Sequence, residues 1–222
     1  MKYVTIDLEM NPLAKEYKEE RAICCREVIE IGAILLDENY QEIDSFKTFV
    51  KPQFNDVIKP HIQKLTNISN DMVENAPFFE EALQMFCSWY KSVGDDILLY
   101  QWSESDIEQI RNEMNLKGIS SDDSNLIFLS NWFDLQREFG DKLNLSNAVS
   151  LKNAVMYAGI DFEGTEHDAL DDARNTAILL KTIRIPELCE AALKYVLEAL
   201  NPAPISTSLG NMIDFTELGF IA

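Results

Sequence analysis

Positive charge is scarce in this 222-residue sequence, where 19 lysines and arginines face 38 aspartates and glutamates for a formal charge of −19. That balance argues against a broad basic surface of the kind that grips long duplex DNA or an anionic membrane. Histidine is scarcer still, with only His61 and His167. The four cysteines, Cys24, Cys25, Cys87 and Cys189, show no Cys-x-x-Cys spacing, so neither a zinc site nor a disulfide framework is expected. Reduced thiols in a cytoplasmic protein are the simpler reading. No apolar run approaches the roughly 20 residues of a membrane-spanning helix. The opening stretch meets a carboxylate at Asp7, too early for the apolar region of a signal peptide.

What is present is an ordinary globular composition, 46% hydrophobic and 26% charged, enough for a sizeable core. Val4, Ile6 and Leu8 alternate with Thr5, Asp7 and Glu9, the period of a strand. After a polar stretch, Asn11 to Arg26, the runs Val28–Leu36 and Ile43–Val50 flank the turn-like Asp37-Glu38-Asn39 and predict a hairpin. Phe79, Leu83, Phe86 and Tyr90 carry helical spacing over Phe78–Val93. Ile97–Tyr100 and Leu126–Leu129 read as short strands and Ser105–Met114 as a helix. Ser146 is a candidate cap for a helix ending at Tyr157 before Gly159, and Ala169–Ile183 is a longer helix. Three strands followed by alternating helices and strands suggest an α/β sandwich with a mixed sheet.

Past residue 184 the character changes. Pro186 opens a helix from Glu187 to Leu200, the Asn201-Pro202-Ala203-Pro204 run stops it, and residues 195–222 hold no lysine or arginine. Residues 1–184 read as one domain and 185–222 as a packed appendage or a partner-binding extension.

Carboxylates supply the chemistry. Asp7 and Glu9, two apart on a strand, project from the same face, and no lysine or arginine lies in Tyr3–Asn11 to balance them. A hard divalent cation held by oxygen ligands resolves that repulsion, although the pair alone also fits a solvated strand end. In Glu166-His167-Asp168-Ala169-Leu170-Asp171-Asp172, a helix starting at Ala169 puts Asp172 on the border of the apolar face and Asp171 in solvent. Asp168 then caps the helix and His167 stands in the loop before it, where it also fits a plain loop histidine. Asp106 falls in the first turn of a helix, a place that equally suits a carboxylate complementing the helix dipole. Glu104, Asp95 and Asp96 compete with it.

Taken together, an Asp-x-Glu on the first strand, Trp102-x-x-x-Asp106 after a middle strand, and His167-x-Ala169-x-x-Asp172 opening a late helix resemble the DEDDh, or DnaQ-like, 3′→5′ exonucleases. The likeness includes Glu27-Val28-Ile29-Glu30-Ile31-Gly32-Ala33, Phe49-Val50-Lys51-Pro52, and Leu65-Thr66-Asn67-Ile68 with Met72-Val73. It covers about residues 1–184 and is closest to the Eri-type and KapD-like RNA exonucleases. The resemblance implies an α/β RNase H-like fold, a five-stranded mixed sheet flanked by helices. It implies Asp7, Glu9, Asp106 and Asp172 as ligands of two Mg²⁺ (or Mn²⁺) ions and His167 as general base, a task suited to an imidazole that titrates near neutrality. Leu8 and Met10 are expected beside the terminal nucleotide, with Leu65 and Trp102 as weaker contacts that also fit core positions. Ser103 and Asn67 stand where glycine is common in relatives, and Met10 where the proofreading branch has threonine; no ligand is missing.

The implied activity is release of nucleoside 5′-monophosphates from single-stranded 3′ ends, RNA favoured over DNA. A proofreading-type DNA exonuclease subunit is the alternative within the enzyme class. A non-catalytic nucleic-acid or protein-binding module is the alternative outside it, with a protein partner on the C-terminal extension. Six carboxylates crowd residues 161–172 and five crowd 95–108, whereas residues 45–66 hold Lys47, Lys51, Lys59 and Lys64 against only Asp56. That stretch is a candidate for steering a single strand toward the carboxylates, or an ordinary solvated loop.

Overall fold

In a computed structural model of the chain, residues 1–55, 57–94, 96–120, 132–145 and 147–200 are described. Five strands form one mixed sheet in the order β3-β2-β1-β4-β5, with β1 Lys2–Pro12, β2 Arg26–Leu36, β3 Glu42–Phe49, β4 Ile97–Gln101 and β5 Trp132–Asp134. β1 pairs antiparallel with β2 and parallel with β4, so the first strand lies at the centre of the sheet. The hairpin and the mixed sheet expected from sequence are present. The expected strand Leu126–Leu129 and the Asn201–Pro204 stop lie outside the described residues.

Both faces of the sheet are covered, which explains why β2 is apolar almost throughout. Val4, Ile6, Leu8, Ile31, Ala33 and Leu35 meet α4 (Phe79–Ser92) and α5 (Ser105–Leu116) through Phe79, Phe86, Ile110 and Met114. The opposite face, which carries Thr5, Asp7 and Glu9, lies under α8 (Ala169–Arg184). Ala169, Ala173, Thr176, Ala177, Leu180 and Ile183 are buried as their spacing predicted. These small residues let the helix come close, and the Thr5 hydroxyl donates to the Ala173 carbonyl at 2.7 Å.

The remaining helices brace this arrangement. α6 (Leu135–Lys142), α7 (Leu151–Tyr157) and α9 (Pro186–Leu200) pack around α8, and Ala192 and Val196 of α9 are buried in the same cluster. α7 starts four residues after the sequence assignment began, because Ser150 supplies the cap by accepting the Asn153 amide; Ser146 lies outside the described residues. α1 (Lys18–Ile23), α2 (Pro60–Thr66) and α3 (Asn70–Glu74) had no counterpart in the sequence reading. The register of β1 against β2 slips between Glu9 and Met10, and such a bulge re-aims side chains. Ile29 accordingly joins a separate cluster with Ile58, Ile62, Ile68 and Val73, which anchors α2 and α3. Asn67 ends α2 at a φ of 59°. Asparagine is the residue besides glycine that tolerates this left-handed conformation well, which accounts for its substitution there.

α5 is oriented by a buried charge group. The Lys117 ammonium lies 2.6 Å from Glu113 and 3.2 Å from Glu27, both fully buried. Glu113 accepts the Val28 amide at 2.8 Å and Glu27 accepts the Gln53 amide at 2.7 Å. α5, β2 and the loop after β3 are thereby tied at one point. No helix among the described residues is long and apolar enough to cross a membrane.

Candidate active site

Four carboxylates from three elements converge where β1 passes beneath the start of α8. Asp7 is opposite Gly32 and Glu9 opposite Glu30 in the β1–β2 ladder. Asp106 is buried in the first turn of α5 and accepts the Leu8 amide of β1, so helix and strand are joined at this carboxylate. Asp172 enters from the first turn of α8. Of its oxygens, Oδ2 accepts the His167 amide at 3.2 Å, whereas Oδ1 is buried with no hydrogen-bond partner.

His167 takes a φ of 63° in the loop before α8 and is half-exposed, with its Nδ1 4.0 Å from Glu9 Oε1. One ligand atom each from Glu9, His167 and Asp172 lie within 4.8 Å of one another. The loop is held on every side. Thr165 donates its amide to Asp171 at 2.9 Å, and Glu163 and Asn175 exchange hydrogen bonds at 3.0 and 2.8 Å. Asp171, expected to be solvated, is therefore a loop anchor, and it also accepts from Arg174 at 2.9 Å. Asp168 caps the helix as expected, accepting the Leu170 and Asp171 amides.

The electrostatics call for a cation. Burial, followed by the neighbouring Asp106, Asp172, Glu9 and Glu30, pushes the Asp7 carboxyl well above the usual range. Glu9 is pushed up to about 8 by burial and then by Asp172 and Glu30. Burial raises Asp106 to about 7, although the Leu8 amide and the Arg26 charge oppose it. Asp172 is also raised to about 7, again chiefly by burial, against the bond from His167. Carboxylates so placed keep their protons unless a metal replaces them. With carboxylate oxygens of Glu9 and Asp172 close together beside the His167 imidazole, and Asp172 Oδ1 orphaned, the residues fit a divalent ion.

The competing acids stand apart. Asp96 faces the N-terminal ammonium at 3.5 Å and is largely exposed, Glu104 is exposed, and Asp95 lies outside the described residues. Among the expected nucleotide contacts, Leu65 is 46% exposed and Met10 is partly buried. Leu8 and Trp102 need correction: the Leu8 side chain is in the core, and the Trp102 ring packs on Phe139 while its N–H donates to the Val149 carbonyl at 3.1 Å. Two residues were missed. Glu30 is a buried carboxylate within the otherwise apolar run Val28–Leu36 of β2, a signal that was visible, and Lys47 bonds to it at 3.0 Å. Lys47, counted as a steering charge, is in fact engaged inside the site.

A central strand bearing two carboxylates, a helix start bearing a third, and a late helix bearing a fourth behind a histidine form the arrangement that the resemblance to the DEDDh exonucleases implied. The nuclease domain of 3′hExo, described as a DEDDh family member bound to rAMP, shares this fold with a TM-score of 0.69 at 22% identity, over 84% of this chain and 92% of that one. The family model described as Exonuclease matches residues 4–180, and the chain belongs to that family. ERI1 exoribonuclease 2 of Danio rerio is 29% identical over 180 residues, which is 72% of this chain and 32% of that protein. The human 3′-5′ exoribonuclease 1 is 24% identical over 82% of this chain and 53% of its own length. The chain thus spans about a third of the first of these relatives.

Proposed function

We propose that this protein is a metal-dependent 3′→5′ exonuclease that removes nucleoside 5′-monophosphates from single-stranded 3′ ends, with RNA as the preferred substrate. The observation that carries the reading is the convergence of Asp7, Glu9, Asp106 and Asp172, all strained toward protonation, around one orphaned carboxylate oxygen beside His167.

Asp7, Glu9, Asp106 and Asp172 would hold two Mg²⁺ or Mn²⁺ ions, which supply activation of a water and stabilisation of the leaving oxygen in phosphodiester hydrolysis. His167, half-exposed and within reach of Glu9, takes the proton of the attacking water. Leu65, exposed on α2, and Met10, at the bulge after Glu9, present apolar surface to the terminal base. RNA is favoured because the relatives include exoribonucleases. Residues 1–184 are the catalytic unit in this reading and 185–222 an appendage, with α9 buried against α8. Four free thiols suit a reducing cytoplasmic setting.

A DNA-proofreading role is the second reading, favoured by 31% identity over 78% of this chain to a PolC-type DNA polymerase III of Caldanaerobacter subterraneus, of which it matches 11%. Purified protein with Mn²⁺ on matched 5′-labelled single-stranded RNA and DNA tests both. The expected result is a single-nucleotide ladder, stronger on RNA and abolished by Asp7→Ala. A wild-type protein inert on every 3′ end would falsify the exonuclease reading, and preference for mismatched DNA termini would support the second.

A further inference from the structure

We propose that Glu30, Lys47 and Asp168 form a charged clamp whose role is to position His167, which makes them positioning residues for the general base and not ligands. The inference rests on the exonuclease reading above.

Both oxygens of Glu30 are committed. Oε2 accepts the Ala169 amide, the first of α8, at 2.9 Å, and Oε1 meets the Lys47 ammonium at 3.0 Å. Each Glu30 oxygen is thus already held by a partner, although Glu30 sits directly across the ladder from Glu9. The same ammonium reaches Asp168 Oδ2 at 2.5 Å, while Asp168 Oδ1 caps α8 through Leu170 and Asp171 at 3.1 and 3.3 Å. Residue 168 is thus fixed from β2 and β3 on one side and from its own helix on the other.

The backbone leaves no slack in this dock. A Cβ at Gly32 would overlap the backbone of Ala169 and Leu170, so β2 and the start of α8 are in direct contact. His167 precedes Asp168, adopts the left-handed conformation at φ 63°, and bonds through its amide to Asp172. A non-glycine residue held there is costly, so something must hold it. Its imidazole has no hydrogen bond or ring contact of its own among the described residues; its nearest charged atom is Glu9 Oε1 at 4.0 Å. The ring's place is consequently inherited from the backbone on either side, which the clamp fixes at residues 168 and 169. Lys47 is the member that can be changed most safely, since it lies on the edge strand β3 with its side chain 30% exposed.

The test uses the full chain, with Lys47→Met to remove the charge and Lys47→Arg to restore it. Because the sequence has only two histidines, the imidazole proton resonances report His167 directly, with His61 as internal control. Lys47→Met is expected to shift or broaden the His167 resonance and leave His61 unchanged. It is expected to lower kcat on single-stranded RNA about tenfold, with KM and Mn²⁺ affinity within about twofold. Lys47→Arg should recover most of that loss. In a His167→Ala background Lys47→Met should cost less than about twofold, because the step it serves is already gone. An unchanged His167 resonance, an unchanged kcat, or a fall in Mn²⁺ affinity parallel to kcat would each overturn the clamp. If the wild type has no activity, the exonuclease reading fails by itself, and the resonances still decide whether Lys47 positions His167.

Discussion

Glu9 and Glu30 face one another across a single rung of the β1–β2 ladder, yet their surroundings give them different work. Glu30 is compensated by an amide and an ammonium; Glu9 is pushed up to about 8, with only the half-exposed imidazole of His167 close by. Environment separates a structural acid from a proposed ligand here. At this scale His167 and the ligands are separable by experiment. His167→Ala should lower kcat by about 10²- to 10⁴-fold while Mn²⁺ titration gives an affinity close to wild type. Parallel loss of metal binding would reassign His167 as a ligand. The positions proposed as ligands were legible because strand period and helix period each put one residue type on one face. Glu30 and Lys47 were not legible as a pair, since their meeting depends on the register between β2 and β3 and on the docking of α8, neither of which local spacing encodes.

Among the elements, those with sustained periodicity were read correctly and those without it were missed. α4 and α8 each run through several turns with an apolar stripe, whereas α2 and α3 have seven and five residues, too few for a period to show. They are held by the Ile29 cluster that the β-bulge creates, a tertiary cause invisible in the local sequence. α5 offers the sharpest test at this level. Lys117 is the cation between two fully buried carboxylates, Glu27 and Glu113. Lys117→Met leaves both unpaired and should cost about 3–5 kcal/mol in chemical denaturation. Loss below about 1 kcal/mol, within the range of an exposed pair, would mean that the triad does not hold α5 in place.

For the whole molecule, the charge of −19 acquires a location. Without a cation, the folded state holds protons at Glu9, Asp106 and Asp172 up to about 8, 7 and 7, and at Asp7 well above the usual range. The unfolded chain releases them near 4. The folded state therefore binds more protons between those limits, so this contribution is fully present below about 4 and is lost as pH rises toward about 8. A divalent ion replaces the protons, so Mg²⁺ should raise the melting temperature more at about pH 8.5 than at about pH 5.5. Equal stabilisation at both would contradict the four-carboxylate site. The basic stretch is also redistributed: Lys47 is inside the clamp, Lys51 donates to the Glu74 carbonyl and Lys59 to the Leu13 carbonyl. Lys47 and Lys51 also meet carboxylates or an aromatic ring, whereas among the described residues Lys59 and Lys64 meet neither. Reversing both charges should raise KM for RNA and flatten its salt dependence; an unchanged salt slope would remove steering from the account.

The docking of α8 on β2 has a consequence for the order in which this enzyme comes into being. His167 and Asp172 are made some 160 residues after Asp7 and Glu9, and the contacts that place them reach back to Glu30, Gly32 and Lys47. A chain still emerging from the ribosome without α8 carries three of the five proposed site residues, Asp7, Glu9 and Asp106, and lacks the other two. In the proposed reading the site is assembled only when α8 closes over β1, so a partly made chain lacks it.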